Sequence, residues 1–203
     1  MKFIGFDIET TGFIPGVDAI TEIAAVRFDN GEPIEMFVSL VNPGRSIPEA
    51  AERISGIGEA MVKDAPKIET LLDGFADFCG DDIIVAHNAN FDFQFVAHDI
   101  QKHESKAPKG FVLDTLALSK KIIPGLMNYK LGTIVQHLNI PTDVFHRAQA
   151  DATYCGNLFY KILQRMNVNG QPPALENLIQ ISGKPLKFPQ IERQPKQMGF
   201  LDF

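Results

Sequence analysis

Apolar and polar positions alternate from the start of the chain. Ile4, Phe6 and Ile8 share one face of residues 2–8, which predicts a β-strand. Residues 20–28 and 34–41 read as two more strands, joined through Asp29-Asn30-Gly31. Asn-Gly tolerates positive φ and marks a hairpin turn. Pro43, Gly44 and Pro48 then break the pattern. The stripe Ile68, Leu71, Leu72, Phe75 and Phe78 predicts a helix over 68–79. Residues 83–86 form a short, wholly apolar run, as expected of a central strand covered on both faces. Helical patterns recur near 91–101, 115–122, 130–138 and 148–166, with a short strand near 111–113. Three leading strands followed by strand–helix alternation predict an α/β fold, a mixed sheet with helices on its faces.

Past residue 167 the character changes. Asn169-Gly170-Gln171-Pro172-Pro173 ends the long helix, and residues 174–181 read as a short helix stopped by Gly183. Residues 184–203, rich in Pro and Lys, read as a flexible tail. The expected division is a domain over 1–166 and a C-terminal extension and tail over 167–203.

A chain of 203 residues, 45% hydrophobic and 22% charged, has enough material for one good core and an appendage. No apolar run approaches the ~20 residues of a membrane span. The first residues enter strand-like sequence without the build of a signal peptide, so a cytoplasmic setting is expected. Cys79 and Cys155 lie on apolar helical stripes without metal-ligand spacing and read as buried thiols, consistent with a reducing compartment. The net charge is −6, and it is uneven: residues 161–203 carry +3 and the first 160 residues carry −9. Such a domain cannot hold long duplex by phosphate neutralisation alone. If it handles nucleic acid, it grips a few nucleotides through bound cations, or a partner does the holding.

Three stretches carry chemistry. The first strand ends Asp7-Ile8-Glu9-Thr10-Thr11-Gly12, and period-two geometry places Asp7 and Glu9 side by side on one face. Carboxylates so placed repel and take raised pKa values unless a cation sits between them. After the buried strand comes His87-Asn88-Ala89-Asn90-Phe91-Asp92, with Asp92 in the first turn of a helix, where the dipole favours its ionised form. The third stretch is His146-Arg147-Ala148-Gln149-Ala150-Asp151. Asp151 lies one turn from both Ala148 and Cys155, on or beside the buried stripe of its helix. An unpaired carboxylate there costs several kcal/mol; a metal removes that cost, and Arg147 is a lesser alternative partner. Four carboxylates suit hard, oxygen-preferring ions such as Mg²⁺ or Mn²⁺, and two such ions could drive an in-line phosphoryl displacement. An imidazole, titrating near neutral pH, could take the proton from the attacking water.

These stretches resemble the DnaQ-like DEDDh family of 3′→5′ exonucleases, which includes the proofreading epsilon subunit of bacterial DNA polymerase III. The motif Asp-x-Glu-Thr-Thr-Gly is Asp7 to Gly12, His-Asn-Ala-x-Phe-Asp is His87 to Asp92, and His-x₄-Asp is His146 to Asp151. The intervening runs from Ile20 to Val26 and from Leu113 to Ala117 match as well, so the resemblance covers roughly residues 2–165. It implies a ribonuclease H-like fold, a five-stranded mixed sheet flanked by helices. It also implies two divalent cations, Mg²⁺ with Mn²⁺ able to substitute: Asp7, Glu9 and Asp151 around one, Asp7 and Asp92 around the other, with His146 as general base. The implied substrate is a single-stranded DNA 3′ end, released as nucleoside 5′-monophosphates in proofreading, repair or fragment degradation. Thr10, Phe13 and Asn88 fall at substrate-contact positions, Phe13 where relatives place an apolar wedge between bases. Ser55 stands where the family usually has a histidine that holds the terminal nucleotide.

Two other readings stay open at this point, an RNA 3′ exonuclease of the same family and a binding module that kept the fold without activity. The chain ends in a cluster of apolar residues after a glutamine. Gln197, Met198, Phe200 and Leu201 loosely resemble the short peptide by which bacterial replication proteins bind the sliding clamp. A clamp or polymerase contact through the tail, or packing of the tail on its own domain, is expected there.

Overall fold

A computed structural model of the chain describes residues 1–142 and 145–191. Gln197, Met198, Phe200 and Leu201 lie outside the described residues. Three antiparallel strands come first, β1 (Lys2–Thr10), β2 (Ile20–Asp29) and β3 (Glu32–Leu40). The β2–β3 turn places Asn30 and Gly31 at φ 52° and 90°, the double left-handed geometry that the Asn-Gly pair predicts. Two short helices follow, α1 (Glu49–Ser55) and α2 (Glu59–Val62), then α3 (Ile68–Cys79). The rest alternates: β4 (Ile83–Ala86), α4 (Asn90–Lys102), β5 (Val112–Asp114), α5 (Thr115–Ile122), α6 (Leu131–His137), α7 (Ala148–Met166) and α8 (Leu175–Ser182). The sheet order is β3-β2-β1-β4-β5, with β4 and β5 parallel to β1, so the sheet is mixed and five-stranded as expected.

The alternation on β1 divides the core. Ile4, Phe6 and Ile8 pack with Leu72, Phe75, Phe95 and Val96 of α3 and α4. Phe3 packs on the other face with Phe28, Phe159 and Leu158, under α7. That second face admits α7 unusually closely. A Cβ on Gly5 would collide with the Ala152 carbonyl, and one on Gly156 would collide with the Phe28 ring. Small residues on both sides thus bring helix and strand into backbone contact. Asp7 and Glu9 continue the Phe3–Gly5 face, so they point toward α7 rather than toward solvent. Cys79 and Cys155 are both buried, as the stripes predict.

Two features depart from the sequence reading. Helices α1 and α2 are absent from the sequence expectation, in which Pro48 breaks the pattern; in the structure Pro48 stands at the start of α1. Proline is favoured at that end and glycine just past the other, and Gly56 closes α1 in the left-handed conformation at φ 70°. The stretch from residue 184 was expected to be a loose tail, yet its described part is docked. Leu186 exchanges both backbone hydrogen bonds with Val112 at the edge of the sheet, at 2.9 and 3.2 Å. Phe188 is buried, its ring centroid 4.9 Å from that of Phe93. The i, i+2 spacing of Leu186 and Phe188 was the signal, hidden among prolines and lysines.

Candidate active site

The predicted carboxylates come from three elements. Asp7 and Glu9 are placed by the pleat of β1, and α7 approaches from the same side with Asp151 in its first turn. One oxygen from each of Asp7, Glu9 and Asp151 lies within 4.8 Å of the other two. Asp92 enters from the first turn of α4 and is buried; its Oδ1 accepts the Ile8 N–H at 3.1 Å. It thereby ties the start of α4 to the middle of the acidic strand. His146 precedes α7 at φ 61°, exposed, and its backbone N–H donates to Asp151 Oδ2 at 3.0 Å. Asp151 Oδ1 is shut off from solvent and has no hydrogen-bond partner.

The electrostatics are those of acids forced together. Burial first, then Asp92, Asp151, Glu9 and Glu22, push the Asp7 carboxyl well above the usual carboxylate range. Glu9 rises to about 7, from burial and then from Asp151 and Glu22, with Arg147 pulling the other way. Burial also raises Asp151, against its hydrogen bond from His146. At Asp92 backbone N–H groups favour the ionised form, as a helix N-terminus implies, but burial outweighs them and its pKa goes up.

These shifts fix a pH dependence. A carboxyl whose folded pKa is raised keeps its proton after the unfolded chain has released its own, so stability falls as pH rises through that interval. The melting temperature of the chelator-treated protein should therefore fall between pH 6.5 and 8, and excess Mg²⁺ should recover most of the loss. The buried His87, whose pKa is lowered, opposes this trend only at lower pH. A metal-free melting temperature that is flat or rising over that interval would contradict the assignment.

The acidic cluster fits a divalent cation. All its donors are oxygens, and opposed ligand oxygens on Mg²⁺ stand about 4.2 Å apart, so a spread of 4.8 Å closes with small side-chain movement. The orphaned Asp151 Oδ1 is a buried acceptor that such an ion would satisfy.

The substrate positions divide. Phe13 is 78% exposed and stands 6.3 Å from the Phe91 ring at the lip of an apolar cleft of about 200 Å³. That cleft begins at Glu9 and Thr10 and is walled by Pro48, Ala51 and Ile54 of the α1 region. Thr10 Oγ1 is turned back onto the Gly12 carbonyl at 2.5 Å. Asn88 is exposed at φ 64°, its N–H bonded to Asp114 Oδ1. Ser55 does not reach the cleft. It is buried, donating to the Ala51 carbonyl at 3.0 Å and accepting the Ile57 N–H at 3.2 Å. The hydroxyl that replaces the family's histidine serves the end of its own helix, and Ile54 faces the cleft in its stead.

Arg147 was considered as a partner for Asp151, but it binds Glu22 instead. Glu22 is 1% exposed and accepts from Arg147 Nε at 3.1 Å, Arg147 Nη2 at 2.7 Å and the Ala148 N–H at 2.8 Å. Glu22 is not among the motif carboxylates, and its signal in the sequence is a lone acid inside an apolar stretch of strand.

A five-stranded mixed sheet whose central strand ends in clustered carboxylates belongs to the class of ribonuclease H-like nucleases. Within that class the chain belongs to the RNase_T exonuclease family, whose model, described as Exonuclease, matches residues 4–159. The DNA polymerase III subunit epsilon of Aquifex aeolicus is 37% identical over 164 residues, 81% of each chain. A PolC-type DNA polymerase III of Oceanobacillus iheyensis is 38% identical over 164 residues, 81% of this chain but 12% of that protein. The chain thus spans only a small part of the PolC-type relatives. Among solved structures, Exonuclease X in complex with 5′-overhanging duplex DNA superposes with a TM-score of 0.69 at 28% identity, covering 90% of this chain and 99% of that one. No helix among the described residues is long and apolar enough to cross a membrane.

Proposed function

We propose that the chain is a divalent-metal-dependent 3′→5′ exonuclease that hydrolyses the terminal phosphodiester of a DNA 3′ end and releases nucleoside 5′-monophosphates. The observation that carries this is the convergence of Asp7, Glu9 and Asp151 with an unpartnered Asp151 oxygen, beside an apolar cleft of about 200 Å³. Asp7, Glu9 and Asp151 would hold one cation, and Asp7 with Asp92 a second; Mg²⁺ is the ion in this reading and Mn²⁺ its substitute. When bound, the cations make a water nucleophilic at neutral pH and stabilise the charge that develops on the leaving oxygen.

The chain's own groups do the rest. His146, exposed beside Asp151, accepts the proton of the attacking water at an imidazole nitrogen. The water oxygen bonds to phosphorus, the bond from phosphorus to the preceding 3′ oxygen breaks, and that oxygen takes up a proton. Phe13 stacks on a terminal base, worth ~1–3 kcal/mol per base, and the apolar cleft receives its edge. Stacking and cations replace the basic surface that a chain of net charge −6 lacks. The setting in this reading is proofreading, repair or fragment degradation, and a polymerase or a clamp held through the C-terminal residues would supply local concentration.

Matched single-stranded DNA and RNA of one sequence, 5′-labelled, test the substrate. A ladder descending from the 3′ end should appear on DNA, with RNA cut more slowly. Preferential laddering of RNA would replace DNA by RNA as the substrate and keep the chemistry.

A further inference from the structure

Glu22 is an acid inside β2, a strand otherwise built largely of apolar residues, and it is buried. In the β1–β2 ladder it stands directly opposite Glu9. Like charges so paired are destabilising, so an acid with no task here would be a net cost. Both its oxygens are engaged. Oε2 takes Arg147 Nε and the Ala148 N–H, and Oε1 takes Arg147 Nη2, a bidentate fork of fixed geometry.

Helix α7 has no cap of its own. Arg147, at its N-terminal boundary, is extended and makes no side-chain capping bond. Glu22 supplies that bond from a distant strand by accepting the Ala148 N–H. One residue earlier, His146 is held left-handed, its N–H spent on Asp151 Oδ2. The turn over residues 146–148 is thus anchored at both ends. Asp151 Oδ2 accepts that N–H, Oδ1 is buried without a hydrogen-bond partner, and one oxygen of Asp151 lies within 4.8 Å of an oxygen of Asp7 and of Glu9.

We propose that Glu22 and Arg147 are a positioning pair for the catalytic centre. They fix the entry of α7 so that Asp151 presents its carboxylate to Asp7 and Glu9 with His146 beside it, and the guanidinium offsets a charge that would otherwise sit unpaired opposite Glu9. Neither residue touches the reacting atoms. The inference rests on the metal-dependent reading above and adds to it the device that sets the ligand geometry.

The test uses the full chain with Glu22→Gln and Arg147→Lys. Glutamine matches the shape but turns an amide N–H₂ toward either the guanidinium or the Ala148 N–H. Lysine keeps the charge and loses the fork. Partners that orient metal ligands are worth about 10–100-fold in affinity or activity. Glu22→Gln should therefore lower kcat on single-stranded DNA about tenfold or more, at the lower end of that range, while KM for DNA stays near wild type. The Mn²⁺ concentration giving half of the maximal thermal stabilisation should rise by a similar factor, a readout independent of turnover. Arg147→Lys, altered at a partly exposed side chain, should show the same cation shift to a smaller extent. If Glu22→Gln does not fold, the Arg147→Lys shift alone decides. Wild-type kcat and wild-type Mn²⁺ dependence in a folded variant would overturn the pair's role. A wild-type chain that neither cuts DNA nor gains stability from Mn²⁺ would remove the functional reading first, and the pair's role with it.

Discussion

Asp7→Asn should abolish DNA cleavage and leave a folded protein that, without metal, melts higher than wild type at pH 8. Asp7 is the carboxylate with the most acidic neighbours: Asp92, Asp151, Glu9 and Glu22 all raise its pKa. It is therefore the residue whose neutralisation relieves the most acidic crowding. Metal ions at such sites contribute several kcal/mol of transition-state stabilisation. At about 1.4 kcal/mol per tenfold, that is a loss on the order of 10³-fold or more. Asparagine keeps the size of the side chain, so the packing of β1 against α7 is preserved while four repulsions are relieved. The sign of the stability change is the sharper part. An ordinary buried carboxylate that paired with a cationic side chain would destabilise the fold on neutralisation, whereas Asp7 should do the reverse. Retention of more than a few per cent of wild-type activity, or a lower metal-free melting temperature at pH 8, would contradict this account of Asp7.

His146→Asn should lower kcat by about 10²-fold or more, the usual scale for a general base, and leave KM for DNA and the thermal stabilisation by Mn²⁺ near wild type. Asparagine is chosen because His146 sits at φ 61°, a conformation asparagine adopts more readily than alanine does. The backbone N–H that binds Asp151 Oδ2 is then retained, and the missing imidazole is the only change. A variant with wild-type turnover at neutral pH would remove His146 from the chemistry. One that also lost cation binding would reassign it to holding Asp151.

The sequence carried most of the sheet because its periodicities are local. The alternation of Ile4, Phe6 and Ile8, the Asn30-Gly31 turn and the apolar run over 83–86 each specify their element without help from distant residues. The ladder and the two core faces then follow from the strand pleat. The carboxylates were legible for the same reason: Asp7 and Glu9 differ by two on a strand, and Asp151 lies one turn from Ala148 and Cys155. Three things were not legible. Pro48 has opposite meanings at a helix start and inside a loop, and the packing of Ile47, Ile57 and Val62 decides between them. The burial that outweighs the helix dipole at Asp92 is a sum over residues far apart in sequence. The fork between Arg147 and Glu22 joins residues separated by 125 positions, and no local pattern announces it.

The central claim is metal-dependent cleavage that proceeds from the 3′ end, and the position of a label reads it directly. The same single-stranded DNA is labelled at its 5′ end in one sample and at its 3′-terminal nucleotide in another, and each is incubated with Mg²⁺ or with EDTA. The account predicts a ladder shortening with time from the 5′ label, labelled mononucleotide as the first product from the 3′ label, and no product of either kind in EDTA. Undiminished cleavage in EDTA, internal cuts from both labels, or mononucleotide released first from the 5′ label would contradict it.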